Sequence, residues 1–64
     1  MENDILSLLH KQMDTEKLQI ADAMVRGSAT DFAEYRHMCG AINGLDRAQR
    51  VLLDMQDRLR RQEA

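Results

Sequence analysis

His37 and Cys39 are the residues of this 64-residue chain best suited to bind a metal or attack a carbonyl. Both chemistries need the two side chains on one side of one site. On a helix, residues two apart point about 200° from each other, so this pair cannot share a ligand sphere. His10 lies on a different segment and joins neither. A Cys-His nucleophile also needs an orienting group and an oxyanion site inside a pocket. Cys39 is the single cysteine, which excludes an internal disulfide and a paired-thiolate metal framework. The chain reads as a non-enzyme that uses neither metal nor cofactor, with Cys39 a small apolar residue at a helix contact.

The carboxylates Asp14, Glu16, Asp22, Asp46, Asp54 and Asp57 are spread among basic residues. Asp46 with Arg50, Asp54 with Arg58 and Asp57 with Arg61 are i, i+4 pairs, each stabilising an exposed helix by about 0.2–0.5 kcal/mol. They read as a solvated face, since an acid and base pair would need a cleft with two distinct environments. Arg58, Arg60 and Arg61 suit the negative pole of a helix, and alternatively an acidic surface or phosphates. With 9 basic and 11 acidic residues the net charge is −2, which argues against a general nucleic-acid binder. No apolar run approaches the roughly 20 residues of a membrane span. The opening "MENDILSLLH" lacks the basic start and cleavage site of a secretion signal, so a cytosolic protein is expected.

These side chains need elements to position them, and "RGSATDFAE", residues 26 to 34, is the strongest punctuation in the chain. Gly27 suits a left-handed helix stop, Ser28, Thr30 and Asp31 offer N-caps, and Asp31 with Glu34 resembles a capping box. This places a turn at about 27–30. Upstream, Asn3 or Asp4 can cap a helix over about 4–26, with Leu6, Leu9, Met13, Ile20 and Met24 on one stripe that Ile5 and Leu8 widen. Downstream, Met38, Ala41, Leu45, Ala48, Leu52, Met55 and Leu59 alternate steps of three and four, beside Tyr35, Ile42 and Val51, over a helix of about 31–61. The expected fold is all-α, a two-helix antiparallel hairpin forming one domain over 1–64. A core this thin calls for self-association or a larger protein partner.

Gly40 and Gly44 interrupt neither pattern, yet each costs a helix about 0.5–1 kcal/mol relative to Ala. A turn centred between residues 28 and 29 places Met13 near Gly44, Leu9 near Ala48, and the Glu16/Lys17 pair near Gly40 and Ala41. The glycines then let the helices approach closely. Leu9, Met13, Ile20, Gly40, Gly44, Leu45, Ala48 and Leu52 form the expected helix-packing set. In this register Met1 already matches residue 56, so Met55, Arg58, Leu59, Arg60 and Arg61 are left for a partner. The methionines at 1, 13, 24, 38 and 55 are expected to be core.

The combination of "ILSLLHKQ", "GSATDFAEY" and "YRHMCGAINGL" resembles a class of very small helical proteins of tailed bacteriophages, encoded among the head and portal genes. The resemblance covers about residues 5–59 and rests chiefly on Asp31, Tyr35, Gly40, Gly44 and Leu45. It implies a virion or head-assembly component made in the host bacterial cytoplasm, and it carries over no active-site residue. A second reading is a small phage effector that blocks a host protein. A third, weaker reading is a regulator that contacts nucleic acid through its C-terminal arginines.

Overall fold

The computed structural model describes residues 5–63, apart from the side chain of Glu63, as two α-helices, α1 (Ile5–Val25) and α2 (Phe32–Glu63). The expected caps Asn3 and Asp4, and the pairing of Met1, lie outside the described residues.

The connection follows from its residues. Gly27 adopts φ +81°, the left-handed region open to a residue without Cβ. Ser28 N–H then donates to the Ala23 carbonyl at 3.0 Å and Gly27 N–H to the Met24 carbonyl at 3.1 Å. This double closure satisfies carbonyls that the end of α1 leaves open. At the start of α2, Asp31 Oδ1 accepts from the Glu34 N–H at 2.8 Å, and the Asp31 carbonyl accepts from the Tyr35 N–H at 3.1 Å. Asp31 is therefore the N-cap. Glu34 reaches back one residue farther than in a capping box, to the Thr30 N–H at 3.2 Å and the Thr30 hydroxyl at 2.9 Å.

With only six residues between them, the helices fold back antiparallel into a rod 50 × 17 × 11 Å in Cα extent. Its radius of gyration is 15.1 Å, against about 10.7 Å for a compact domain of this length. The contact between helices is correspondingly thin. Leu52, 9% exposed, and Gln49, 4% exposed, are the buried side chains among the described residues, and α1 contributes none.

The seam differs from the expected one by a rotation of α2. The half-buried or buried positions run Met38, Ile42, Leu45, Gln49, Leu52 and Gln56, where the apolar pattern selects Ala41, Ala48, Met55 and Leu59 between the shared positions. Replacing every second position by its neighbour turns the helix by about 50°. Ala41 and Ala48 become flanking positions, and Met55 and Leu59 are about half exposed. On α1 the inward side is Leu6, His10, Met13, Lys17, Ile20 and Met24, all half-buried, while Leu9 is exposed at 44%.

The same rotation overturns the expected role of the glycines. A Cβ built on Gly40 or Gly44 meets no atom within 4 Å, so neither glycine seats α1. The register of side-chain meetings also changes. Gln49 reaches His10 and Asp14, Lys17 reaches Asp46, and Gln56 reaches Ser7. Each partner lies two to six residues beyond the one set opposite by a turn centred between 28 and 29. Side chains lean toward the N-terminus of their own helix. In an antiparallel pair this tilts α2 side chains toward the turn and α1 side chains away from it, and both shifts add.

Replacing Asp31 by Ala removes the N-cap of α2, and the unfolding free energy should fall by about 1 kcal/mol. Urea denaturation followed by helical circular dichroism checks this; an unchanged midpoint would show that α2 does not depend on the cap.

Candidate functional site

The two long faces of the hairpin differ in chemistry. On one, polar side chains bridge the helices: Gln49 Nε2 donates to the His10 carbonyl at 3.2 Å and to Asp14 Oδ1 at 2.9 Å. Both acceptors lack a proton to give, which fixes the orientation of the carboxamide. Lys17 Nζ lies 3.4 Å from Asp46 Oδ1 and 3.8 Å from Asp14 Oδ1. Gln56 Nε2 donates to the Ser7 hydroxyl at 3.0 Å. The Gln49 hydrogen bond, with His10 and Lys17 nearby, holds the Asp14 carboxyl below its ordinary value of 3.8.

The residues with reactive side chains do not assemble. His37 is exposed and Cys39 half-buried, on different sides of α2. Cys39 lies one turn from Tyr35, whose hydroxyl it pushes above its ordinary pKa through a hydrogen bond and its charge. His10 Nδ1 is 3.9 Å from Asp14 Oδ2. Among the described residues no three His, Cys, Asp or Glu side chains could hold one metal ion. Near the turn, Gln19, Asp22, Ala23, Arg26 and Ser28 line an open depression of about 280 Å³, in which Arg26 is held by Asp22. The tail arginines are also engaged on their own helix, Arg58 with Asp54 at 2.8 Å, and Arg60 and Arg61 with Asp57. They therefore do not converge on a common point.

The opposite face carries one stretch of exposed apolar side chains, while Leu18, Val25, Phe32, Tyr35 and Leu53 are exposed elsewhere. At 100° per residue, Gly40, Gly44, Ala48, Val51, Met55 and Leu59 share one flank of α2, and the bridging contacts just described put that flank on the far side of the hairpin. Val51 is 64% exposed, and Met55 and Leu59 are nearly half exposed. His37 lies within this flank, and Arg58, five full turns on from Gly40, lies on its edge. On the adjoining side of α1, Ile5 and Leu9 are exposed at the same end of the rod. The total accessible surface is 5130 Å², whereas a folded monomer of 7.4 kDa exposes about 4,200 Å², leaving an excess of about 900 Å².

Of the residues expected at a partner surface, Met55 and Leu59 lie on this flank. Of those expected in helix packing, Met13, Ile20, Leu45 and Leu52 face inward, Ala48 sits at the edge, and Gly40, Gly44 and Leu9 face out. Gln49, Lys17 and Val51 belong to the two surfaces without having been singled out for them. Apolar periodicity gives no weight to a glutamine, so Gln49 carried no signal of its own. Comparisons with protein-family models, curated proteins and solved structures find no match for this chain. None of the described helices is long and apolar enough to cross a membrane.

Replacing Gln49 by Leu should raise the Asp14 pKa toward its ordinary value while leaving helicity in place, as carboxyl chemical shifts through an acid titration would show. Asp14 and Glu34 both have folded pKa values depressed below the ordinary 3.8 and 4.5. The stability they add is complete above those values and is lost as pH falls through the folded ones. The denaturation midpoint should therefore drop on acidification across that range, and less so in Gln49→Leu; an equal drop in both proteins would remove Asp14 from the account.

Proposed function

We propose that this protein is a non-enzymatic assembly module that works by docking the Val51, Met55 and Leu59 flank of α2 against another protein surface. The observation that carries the reading is the exposure of Val51, Met55 and Leu59 on the same side of α2 as two open glycines. A soluble chain normally keeps such contiguous apolar surface for a contact. The aliphatic side chains of Val51, Met55 and Leu59, with no Lys, Glu or Asp between them on this line, fit the composition of interface cores. The engaged arginines then serve as a solvated rim.

The resemblance of the sequence to small helical proteins of tailed bacteriophages gives the module a setting: a head or portal component that holds larger proteins, or copies of itself, in place. In that role catalysis is not required, and a thin hairpin becomes stable by being covered.

The test is incorporation. Washed particles from an infection should contain the protein at a fixed copy number by quantitative mass spectrometry, and Val51→Glu should lower that number at least about tenfold, as truncation of an interface anchor does. Absence of the wild-type protein from particles would overturn the virion setting, and full incorporation of Val51→Glu would overturn the α2 flank as the docking surface.

A further inference from the structure

We propose that the partner that docks at Val51 is an acidic protein segment, whose carboxylates pair with the guanidinium groups of Arg36 and Arg47. The inference rests on the reading of this side of α2 as a docking surface and deepens it by giving the charge of the partner.

The way the chain pairs its own arginines carries the argument. Arg26, Arg50, Arg58 and Arg61 each hold the aspartate four residues earlier, and Arg60 lies 3.9 Å from Asp57. Arg36 and Arg47, both exposed, meet no carboxylate among the described residues. Four residues before them stand Phe32 and Asn43. Asn43 is the uncharged counterpart of an aspartate, so at Arg47 the helix keeps its pairing spacing and omits the anion. Asp46, the single carboxylate between residues 36 and 51, faces α1, where it meets Lys17 at 3.4 Å. His37 brings no negative charge to this side. Lys11, the remaining cation without a carboxylate partner, stands alone on the outer side of α1.

The two unpaired guanidinium groups act together. Eleven residues apart, they stand about 16 Å apart along α2 and within about 20° of the same direction. Both border the Val51 flank, and no side chain stands over Gly40 or Gly44 between them to block an approaching chain. A guanidinium fork matches a carboxylate with two parallel hydrogen bonds, which fixes orientation as well as charge. Two features select a protein over a polyphosphate. The chain has a net charge of −2, which opposes the approach of a nucleic acid. Next to Arg47, Val51 presents aliphatic surface, 64% exposed, that a phosphate backbone would leave uncovered and an apolar side chain would cover.

The experiment uses the full isotope-labelled chain and two synthetic helical peptides. One carries a leucine stripe bordered by two glutamates eleven residues apart, and its twin has lysine in place of both. At low salt the glutamate peptide should shift the amide signals of Gly40, Gly44 and Val51 and bind at least about tenfold more tightly than the lysine peptide. That margin should vanish at high salt and in the double variant Arg36→Gln, Arg47→Gln, whose helicity is kept because both side chains are exposed. Equal binding of the two peptides, an unchanged margin in the double variant, or no shift at Gly40 and Gly44 overturns the proposal. Tighter binding of a DNA duplex than of the glutamate peptide, lost in the double variant, overturns it in favour of a phosphate ligand. Particle incorporation separates this proposal from the reading it rests on. Full incorporation of the double variant with exclusion of Val51→Glu overturns the acidic partner and leaves the docking flank standing, whereas exclusion of both supports the acidic partner.

Discussion

One carboxamide sets how this hairpin presents itself. Gln49 is the most buried side chain among those described, and it is polar, so its amide protons must be met by acceptors. The His10 carbonyl and the Asp14 carboxylate meet them, and both lie on one side of α1. Satisfying that amide turns α2 by about 50° from the orientation that would bury the most apolar surface. Everything else follows from this choice. Lys17 and Asp46 come within reach of each other, Met55 and Leu59 turn outward, and the glycines lose contact with α1.

The energetic balance explains how such a choice is tolerated. A hairpin with Leu52 as its buried apolar residue has little hydrophobic stabilisation to lose by rotating, since burying one such side chain contributes only about 1.5–3 kcal/mol. A hydrogen bond to a charged acceptor contributes on a similar scale, about 1.5–3 kcal/mol, and an unmet buried amide would cost about as much. The two-helix unit is therefore decided by polar pairing, with much of its apolar surface left exposed. The second glycine in "CGAINGL" faces open space and takes no part in the contact between the helices.

The helices, their antiparallel turn and the caps at Gly27 and Asp31 were legible in the sequence, because stop and start signals act locally and do not depend on the rest of the fold. Which side of α2 faces α1 was not. The apolar stripe over Ala41, Ala48, Met55 and Leu59 is real, and taking it as the internal seam assumes that the strongest apolar stripe is covered by the chain itself. In a protein too small to cover it, the stripe marks an outer surface, and the internal seam is read instead from Gln49, Gln56 and Lys17, long polar side chains that can bridge. Met55 and Leu59 are exposed, but by the rotation of α2, where an overhanging helix end was expected.

The central claim, that Gln49 fixes the rotation of α2, is tested most directly by nuclear Overhauser contacts in the isolated protein at a concentration low enough for the single chain. The account predicts contacts from the Gln49 carboxamide protons and the Leu52 methyls to α1, slow exchange of those amide protons with water, and no contact from the Val51 or Met55 methyls to Met13. Contacts from the Ala48 and Met55 methyls to Met13, with the Gln49 amide exchanging as a solvated side chain does, would contradict it.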